Sequence, residues 1–301
     1  MMNLIKKINI LKNDHLLLNE NWKFISKEME IFHDKNGINC YDYLDKELKD
    51  EKIEGRWIGF LHNVINYPQE YPNKYNCNKI LSLASLVKNN YFLEKLNSCL
   101  GIFVFTDQNK IFLKKETGFQ NIKSIKHPAP DFIFGKSWES NKKILHVGQQ
   151  LRKYHSFLEL ESKNEKIMLN PKNCEYDLVE MQSYSNKKVS ILRNIDLNEY
   201  LNLLKNSVVF LDLYDVAACN TIIECIILGV PILIKKLDGC VEYLGDDYPF
   251  YFDDLADANK KINDDNLILE TNKYLNKINK EDFKVKKYLK NFYNEYLYFL
   301  K

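Results

Sequence analysis

The sequence predicts an α/β chain built on two parallel, doubly wound sheets. Three observations lead there. Short apolar runs alternate with helix-like stretches along most of the 301 residues. The runs are continuous rather than alternating, as in strands covered on both faces. The pattern also stops and restarts across HPAPDFIFGKSWESNKK (127–143), where two prolines, a glycine and several polar residues break the periodicity.

Taken in order, WIGFLH (57–62) reads as a short buried strand, Lys79 to Ser98 has helical periodicity, and GIFVF (101–105) is a strand. Asp107 to Thr117 reads as a helix with its N-cap near Asp107, and NIKSIKH (121–127) returns as a strand that stops at Pro128. Beyond the linker, KILHVG (143–148) is a strand, LRKYHSFLEL (151–160) a helix and KIML (166–169) a strand. KVSILRN (188–194), SVVFLDL (207–213) and VPILIKK (230–236) are further strands, separated by the helices LNEYLNLLKN (197–206) and CNTIIECIILG (219–229). Gly229 and Pro231 end the second of these helices. Asp265 to Lys301 is helical by pattern. The expected division is 1–135, 136–280 and a C-terminal helix over 281–301. Two Rossmann-like halves facing each other make a cleft, and ligands of such sheets bind beyond the carboxyl ends of the strands.

Composition narrows the function. The formal net charge is +2, from 43 basic and 41 acidic residues, so no global field points to nucleic acid or an anionic membrane. The 19 tyrosines and 17 phenylalanines, beside abundant Asn, Lys and Ile, read as the stamp of an AT-rich genome rather than as stacking chemistry. Seven cysteines lie between Cys40 and Cys240 without a C-x-x-C, which suits buried reduced thiols. The N-terminus has no clean apolar core with a cleavage site, and no apolar run reaches the ~18 residues of a membrane span. A cytoplasmic protein with at most peripheral membrane contact is expected.

Polar residues just after strands are the site candidates. In VVFLDLYDVAACNTIIECIILGVPILI, Asp212 and Asp215 follow a strand, while Asn220 and Thr221 fall at a helix start. Glu224 lies three residues past Thr221 on the same helix face. A Thr-x-x-Glu pair there suits a capping box. It equally suits a phosphate held by the helix N-terminus, with Glu224 on a sugar hydroxyl. In HVGQQLRKYHSFLEL, Gly148 permits close backbone approach after a strand, and Arg152 and Lys153 follow at the next helix start. His146 and His155 read as fillers. Arg193 ends a strand. In the first half, His62 and Asn63 end a strand ahead of a loop carrying Tyr67, Tyr71 and Tyr75, and His127 ends another. A histidine at such a place serves as a general base or as a packed structural ring.

The run from Val208 to Phe252 resembles the donor half of a GT-B-fold glycosyltransferase. The matching residues are Asn220, Glu224, Gly229-Val230-Pro231 and Gly239-Cys240-Val241-Glu242-Tyr243, and VEYLGDDYPFYF (241–252) is similar to a bacterial and large-virus subgroup. The resemblance implies an acceptor-side first domain (1–135) and a nucleotide-sugar-binding second domain (136–280), with a C-terminal helix such as Phe283 to Phe299 crossing back onto the first. It also implies that Gly148, Arg152, Lys153, Asn220 and Thr221 hold the donor diphosphate and that Glu224 holds the ribose. Asn63, His127, Arg193 and Asp215 are further candidates for the cleft. The position eight before Glu224, acidic in many retaining members, is Val216 here.

There is no D-x-D, G-x-G-x-x-G, P-loop, H-E-x-x-H or C-x-x-C. The expectation is therefore a metal-independent, hexosyltransferase-like enzyme with no cofactor beyond a UDP- or GDP-sugar co-substrate. It would act in the cytoplasm (the host's, if the chain is viral) on a saccharide, protein or other glycoconjugate acceptor, with His62 as its catalytic residue near the acceptor, either as a general base or polarising the leaving phosphate or sugar hydroxyls. The alternatives are an inactive glycosyltransferase-like binding module and a nucleotide-sugar epimerase.

Overall fold

The computed structural model describes residues 7–11, 20–67, 82–135, 137–139, 143–148, 151–170 and 189–301. The chain divides into two compact units, Met1–Asp131 with Glu281–Lys301, and Phe132–Lys280.

The first unit is a five-stranded sheet in the order β1-β2-β3-β4-β5. Its strands are β1 (Ile8–Leu11), β2 (Ile38–Tyr41), β3 (Trp57–Phe60), β4 (Cys99–Val104) and β5 (Ile122–Ser124). All four pairings are parallel. The helix Asp107–Thr117 has the predicted bounds, because Thr106 caps its start by accepting from Asn109 N–H and Gly118 closes it in the left-handed conformation. The single helical stretch expected from Lys79 to Ser98 is instead two short helices, Leu83–Leu86 and Asn90–Lys95. Ser82 and Asn89 each start one by capping, and residues 79–81 lie outside the described set.

The C-terminal helix Val285–Phe299 belongs to this first unit. Phe292 lies 5.5 Å from Phe60 and 5.2 Å from Phe103, ring centre to ring centre, so the helix seals one face of β3 and β4 with aromatic contacts. Gly101 makes the last turn of that contact possible. A Cβ there would lie 2.1 Å from carbons of the Phe299 ring. We expect Gly101→Ala to cost about 1–3 kcal/mol in denaturant unfolding, and Phe299→Ala in the same chain to remove that extra cost. An unchanged midpoint for Gly101→Ala alone would show that the ring yields freely.

The second unit is a six-stranded sheet in the order β11-β10-β9-β6-β7-β8. It comprises β6 (Lys143–His146), β7 (Lys166–Asn170), β8 (Val189–Arg193), β9 (Ser207–Leu211), β10 (Ile232–Lys235) and β11 (Tyr251–Phe252). Every pairing is parallel. All of SVVFL in β9 is buried, which is why it reads as an unbroken apolar run. The order runs outward from β6 in one direction to β8 and from β9 in the other to β11. The reversal between β6 and β9 is the topological switch point, where ligands of such sheets bind.

Buried Lys166 helps hold this end of the sheet together. Its Nζ donates to the carbonyls of Phe157 (3.0 Å), Leu158 (2.7 Å) and Leu160 (3.0 Å). Those carbonyls are at the C-terminal end of the helix Tyr154–Glu159, where a cation meets the negative end of the helix dipole.

Candidate functional site

In the second unit, the loop leaving β6 and the chain leaving β9 are stitched together. Lys153 N–H donates to Asp212 O at 2.8 Å, Tyr214 N–H donates to Leu151 O at 3.1 Å, and Arg152 and Leu213 form an antiparallel bridge. Ser156 Oγ adds a bond to Asp212 Oδ2 at 2.6 Å. The switch point therefore has a fixed floor that carries Gly148, Arg152, Lys153, Asp212 and Asp215 together.

The side chains on this floor differ in part from expectation. Gly148 has φ +85°, and a Cβ there would meet Arg152 Nη2 at 2.8 Å. The close approach that this glycine permits is made by the Arg152 guanidinium. Arg152 Nε donates to Val147 O at 3.1 Å and Nη2 lies 3.5 Å from Cys219 Sγ, which joins the β6 loop to the start of the Asn220–Leu228 helix. Lys153 Nζ is 3.7 Å from Asp212 Oδ1 and 4.9 Å from the Tyr214 ring centre, so a carboxylate and an aromatic face orient it. The side chain of Asp215 is half-buried and accepts from Val216 N–H at 2.7 Å.

The helix Asn220–Leu228 has Cys219 as its N-cap residue, and no side chain caps it. The Thr221–Glu224 capping box is therefore overturned. The helix starts one residue before Thr221, which places Thr221 too deep to cap. Asn220 and Thr221 contribute the first-turn N–H groups that an α-helix leaves without intrahelical partners. Glu224 is 5% exposed and accepts a hydrogen bond from the Tyr200 hydroxyl, carried by the helix Leu197–Lys205. Sequence reasoning missed Tyr200 because it sits among the leucines of an amphipathic helix.

Arg193 is exposed at the end of β8, and β7 lies between β8 and β6. The sheet order sets it apart from the other candidates. His146 is fully buried at the end of β6 against the rings of Tyr154 (5.1 Å) and Phe157 (5.2 Å). Its two ring nitrogens meet no hydrogen-bond partner among the described residues. Burial, reinforced by the Arg152 charge, pushes its pKa down to about 3.

In the first unit, His62 follows β3 at the carboxyl edge of the sheet. Its N–H donates to Asp45 Oδ2 at 2.8 Å, and its ring Nδ1 is 3.3 Å from the same oxygen. With Nδ1–H directed at the carboxylate, Nε2 is the basic nitrogen. Nε2 is buried and meets no partner among the described residues. The rings of Trp22 (4.6 Å), Tyr43 (4.8 Å) and Phe105 (4.9 Å) surround the imidazole. Asp45 was missed because it lies 17 residues from His62 in a short helix without a clear period.

Asn63 and His127, the other two candidates in this unit, are packed side chains. Asn63 is 2% exposed; its Oδ1 accepts from Tyr67 and its carbonyl accepts from Asn109. His127 is 1% exposed, with Nδ1 donating to Pro128 O at 2.8 Å. Burial first, and then the nearby His62, lower the His127 pKa to about 3. Tyr71 and Tyr75 lie outside the described residues. Among the described residues there is no group of three or more His, Cys, Asp or Glu able to hold a metal ion, and no helix is long and apolar enough to cross a membrane. Cys40, Cys99, Cys219, Cys225 and Cys240 are buried free thiols.

No protein-family model matches the chain, and no curated protein does. Solved structures do. TarM matches with a TM-score of 0.66 at 14% identity over 86% of this chain and 54% of TarM. A TarM variant from S. aureus, in complex with fondaparinux, alpha-GlcNAc-glycerol and UDP, matches with a TM-score of 0.61 at 13% identity over 81% of this chain and 50% of that one. HepE from Anabaena, in complex with UDP and glucose, matches with a TM-score of 0.67 at 13% identity over 91% of this chain and 81% of HepE. Sucrose-phosphate synthase from Thermosynechococcus elongatus matches with a TM-score of 0.65 at 12% identity, covering 92% and 77%. The chain spans about half the length of TarM, 54% and 50% in the two structures. What these likenesses share with it is the fold, two Rossmann-like α/β units of the GT-B glycosyltransferase type.

Proposed function

We propose that this protein transfers a sugar from a nucleotide-sugar donor, a UDP- or GDP-sugar, to a saccharide, protein or other glycoconjugate acceptor, without a metal ion. The observation that carries the proposal is the convergence at the switch point of the second sheet. The Gly148 loop, Arg152, Lys153 and the start of the Asn220–Leu228 helix all meet where β6 and β9 part. First-turn N–H groups and two cations suit a diphosphate, and they stabilise the negative charge that grows on it as the sugar leaves. Arg152 and Lys153 would exchange their present partners for phosphate oxygens. Glu224, one turn into the helix, would accept from a ribose hydroxyl. TarM and HepE, which share the fold, have structures with UDP bound, so UDP is the first nucleotide to test.

His62 is the proposed base. Its Nδ1 faces Asp45, so the carboxylate would both set the tautomer and stabilise the imidazolium formed when Nε2, buried among Trp22, Tyr43 and Phe105, is uncovered by a shift of those rings and takes a proton from an acceptor hydroxyl. The cytoplasm is the proposed compartment, with contact to a membrane at most peripheral.

Incubation with a panel of UDP- and GDP-sugars should release the nucleoside diphosphate and add the sugar mass to an acceptor. His62→Asn should lower turnover by about 10²–10⁴-fold with nucleotide binding kept. Failure of every common nucleotide and nucleotide sugar to bind in calorimetry rejects the proposal. One observation favours a second reading, a module that binds the donor without transferring sugar. The position eight before Glu224 is Val216, which is 4% exposed and apolar. Tight binding with no transfer in the same panel would select it.

A further inference from the structure

We infer that Tyr200 is a positioning residue for the nucleotide site, holding the Glu224 carboxylate in the orientation that receives a ribose hydroxyl. The inference rests on the proposed role of Glu224.

Glu224 is a buried acid in the apolar part of its helix, with Ile222, Ile223, Cys225, Ile226 and Ile227 around it in sequence and all buried. Its carboxylate turns about three side-chain bonds, and a ribose contact needs one rotation of the carboxylate plane out of several. Tyr200 supplies that constraint by donating its hydroxyl to Glu224 Oε2. A carboxylate offers about four lone-pair sites, and the Tyr200 bond takes one of those on Oε2.

The anchor is itself fixed. Asp196 and Glu199 form a reciprocal capping box, with Asp196 Oδ1 accepting from Glu199 N–H at 2.9 Å and Glu199 Oε2 accepting from Asp196 N–H at 3.0 Å. Tyr200 N–H then donates to Asp196 O at 2.9 Å, the first backbone bond of the helix. Leu201 and Leu204 bury the helix against the sheet. The phenol thus projects from a defined first turn. Burial and the Glu224 charge raise its pKa, so it remains a hydrogen-bond donor at neutral pH.

The test compares UDP with 2′,3′-dideoxyuridine diphosphate, by calorimetry, on the wild-type chain, Tyr200→Phe and Glu224→Gln. Tyr200→Phe should bind UDP roughly tenfold more weakly, the scale of one hydrogen bond to a charged group, and should bind the dideoxy analogue as the wild type does. Equal weakening toward both ligands would mean that Tyr200 merely supports the fold, and would overturn the inference. So would unchanged UDP binding in Tyr200→Phe while Glu224→Gln is impaired, an outcome that leaves the role of Glu224 standing. Unchanged UDP binding in Glu224→Gln would instead remove the premise.

If Tyr200→Phe fails to fold, the wild-type chain labelled at tyrosine ¹³Cζ gives the reading without that substitution. The signal displaced by Glu224→Gln identifies Tyr200. It should move on addition of UDP and stay in place with the dideoxy analogue, and a signal that ignores UDP would overturn the inference.

Discussion

Acidification from pH 7 to pH 4.5 should destabilise both units steeply, and one histidine in each sets the window. His127 in the first unit and His146 in the second are buried with pKa values lowered to about 3, against 6.5 for an ordinary histidine. Below pH 6.5 the unfolded chain takes up a proton at each site that the folded chain refuses. The stability this neutrality provides is complete above about pH 6.5 and is lost progressively as the pH falls toward 3. The slope approaches about 1.4 kcal/mol per pH unit for each histidine, and the loss at pH 4.5 is about 3 kcal/mol for each. Against a total stability of about 5–15 kcal/mol, that is a large share. Asp107, Asp257 and Asp282 have lowered pKa values, so their contribution fades only at lower pH.

Urea unfolding at pH 7 and pH 4.5 measures the difference. His146→Phe places a ring among Tyr154 and Phe157 and has nothing to titrate. His127→Asn keeps a donor for Pro128 O. Each should flatten the pH dependence by about half. If neither does, other groups cause the acid transition and these two rings are protonated in the folded state.

The two units differed in how much of them could be read from sequence, for a physical reason. Strands buried on both faces, such as SVVFL and KILH, stand out as continuous apolar runs with turn residues at both ends. β1 is INIL and β2 is INCY, each interrupted by Asn, and the helix after β2 is only six residues, LDKELK. None of the three has a run long enough to show a period, so the first part of the chain carried no prediction. Site residues divide the same way. A strand followed by Gly, Arg and Lys, or a helix start with Asn and Glu, can be recognised locally. Partners that meet only through the tertiary fold cannot. Asp45 reaches His62 from the preceding β–α unit, Tyr200 reaches Glu224 from another helix, and the reversal of strand order between β6 and β9 leaves no mark on either strand. The Arg152 guanidinium over Gly148 belongs to the same class: a glycine and an arginine four residues apart suggest a ligand loop, but not that one covers the other.

Replacing Glu224 should separate binding from stability. On the proposed reading, Glu224→Ala removes the acceptor of a ribose hydroxyl at the positive end of a helix, and UDP affinity should fall by about 10- to 100-fold, the scale of one or two hydrogen bonds to a charged group. The same change leaves the Tyr200 hydroxyl without its Glu224 acceptor, which should cost a further ~1–3 kcal/mol of folding stability. The two losses have different remedies. Removing both partners of a buried hydrogen bond is far milder than removing one, so Glu224→Ala with Tyr200→Phe should recover much of the lost stability while UDP binding stays weak. A double variant that regains UDP affinity along with stability would mean that the single substitution acted through the fold. Glu224 would then be a buried, satisfied carboxylate with no nucleotide to hold. A single variant that binds UDP as well as the wild type would place the ribose elsewhere along the Asn220–Leu228 helix, with Asn220 and Thr221 the polar side chains of its first turn.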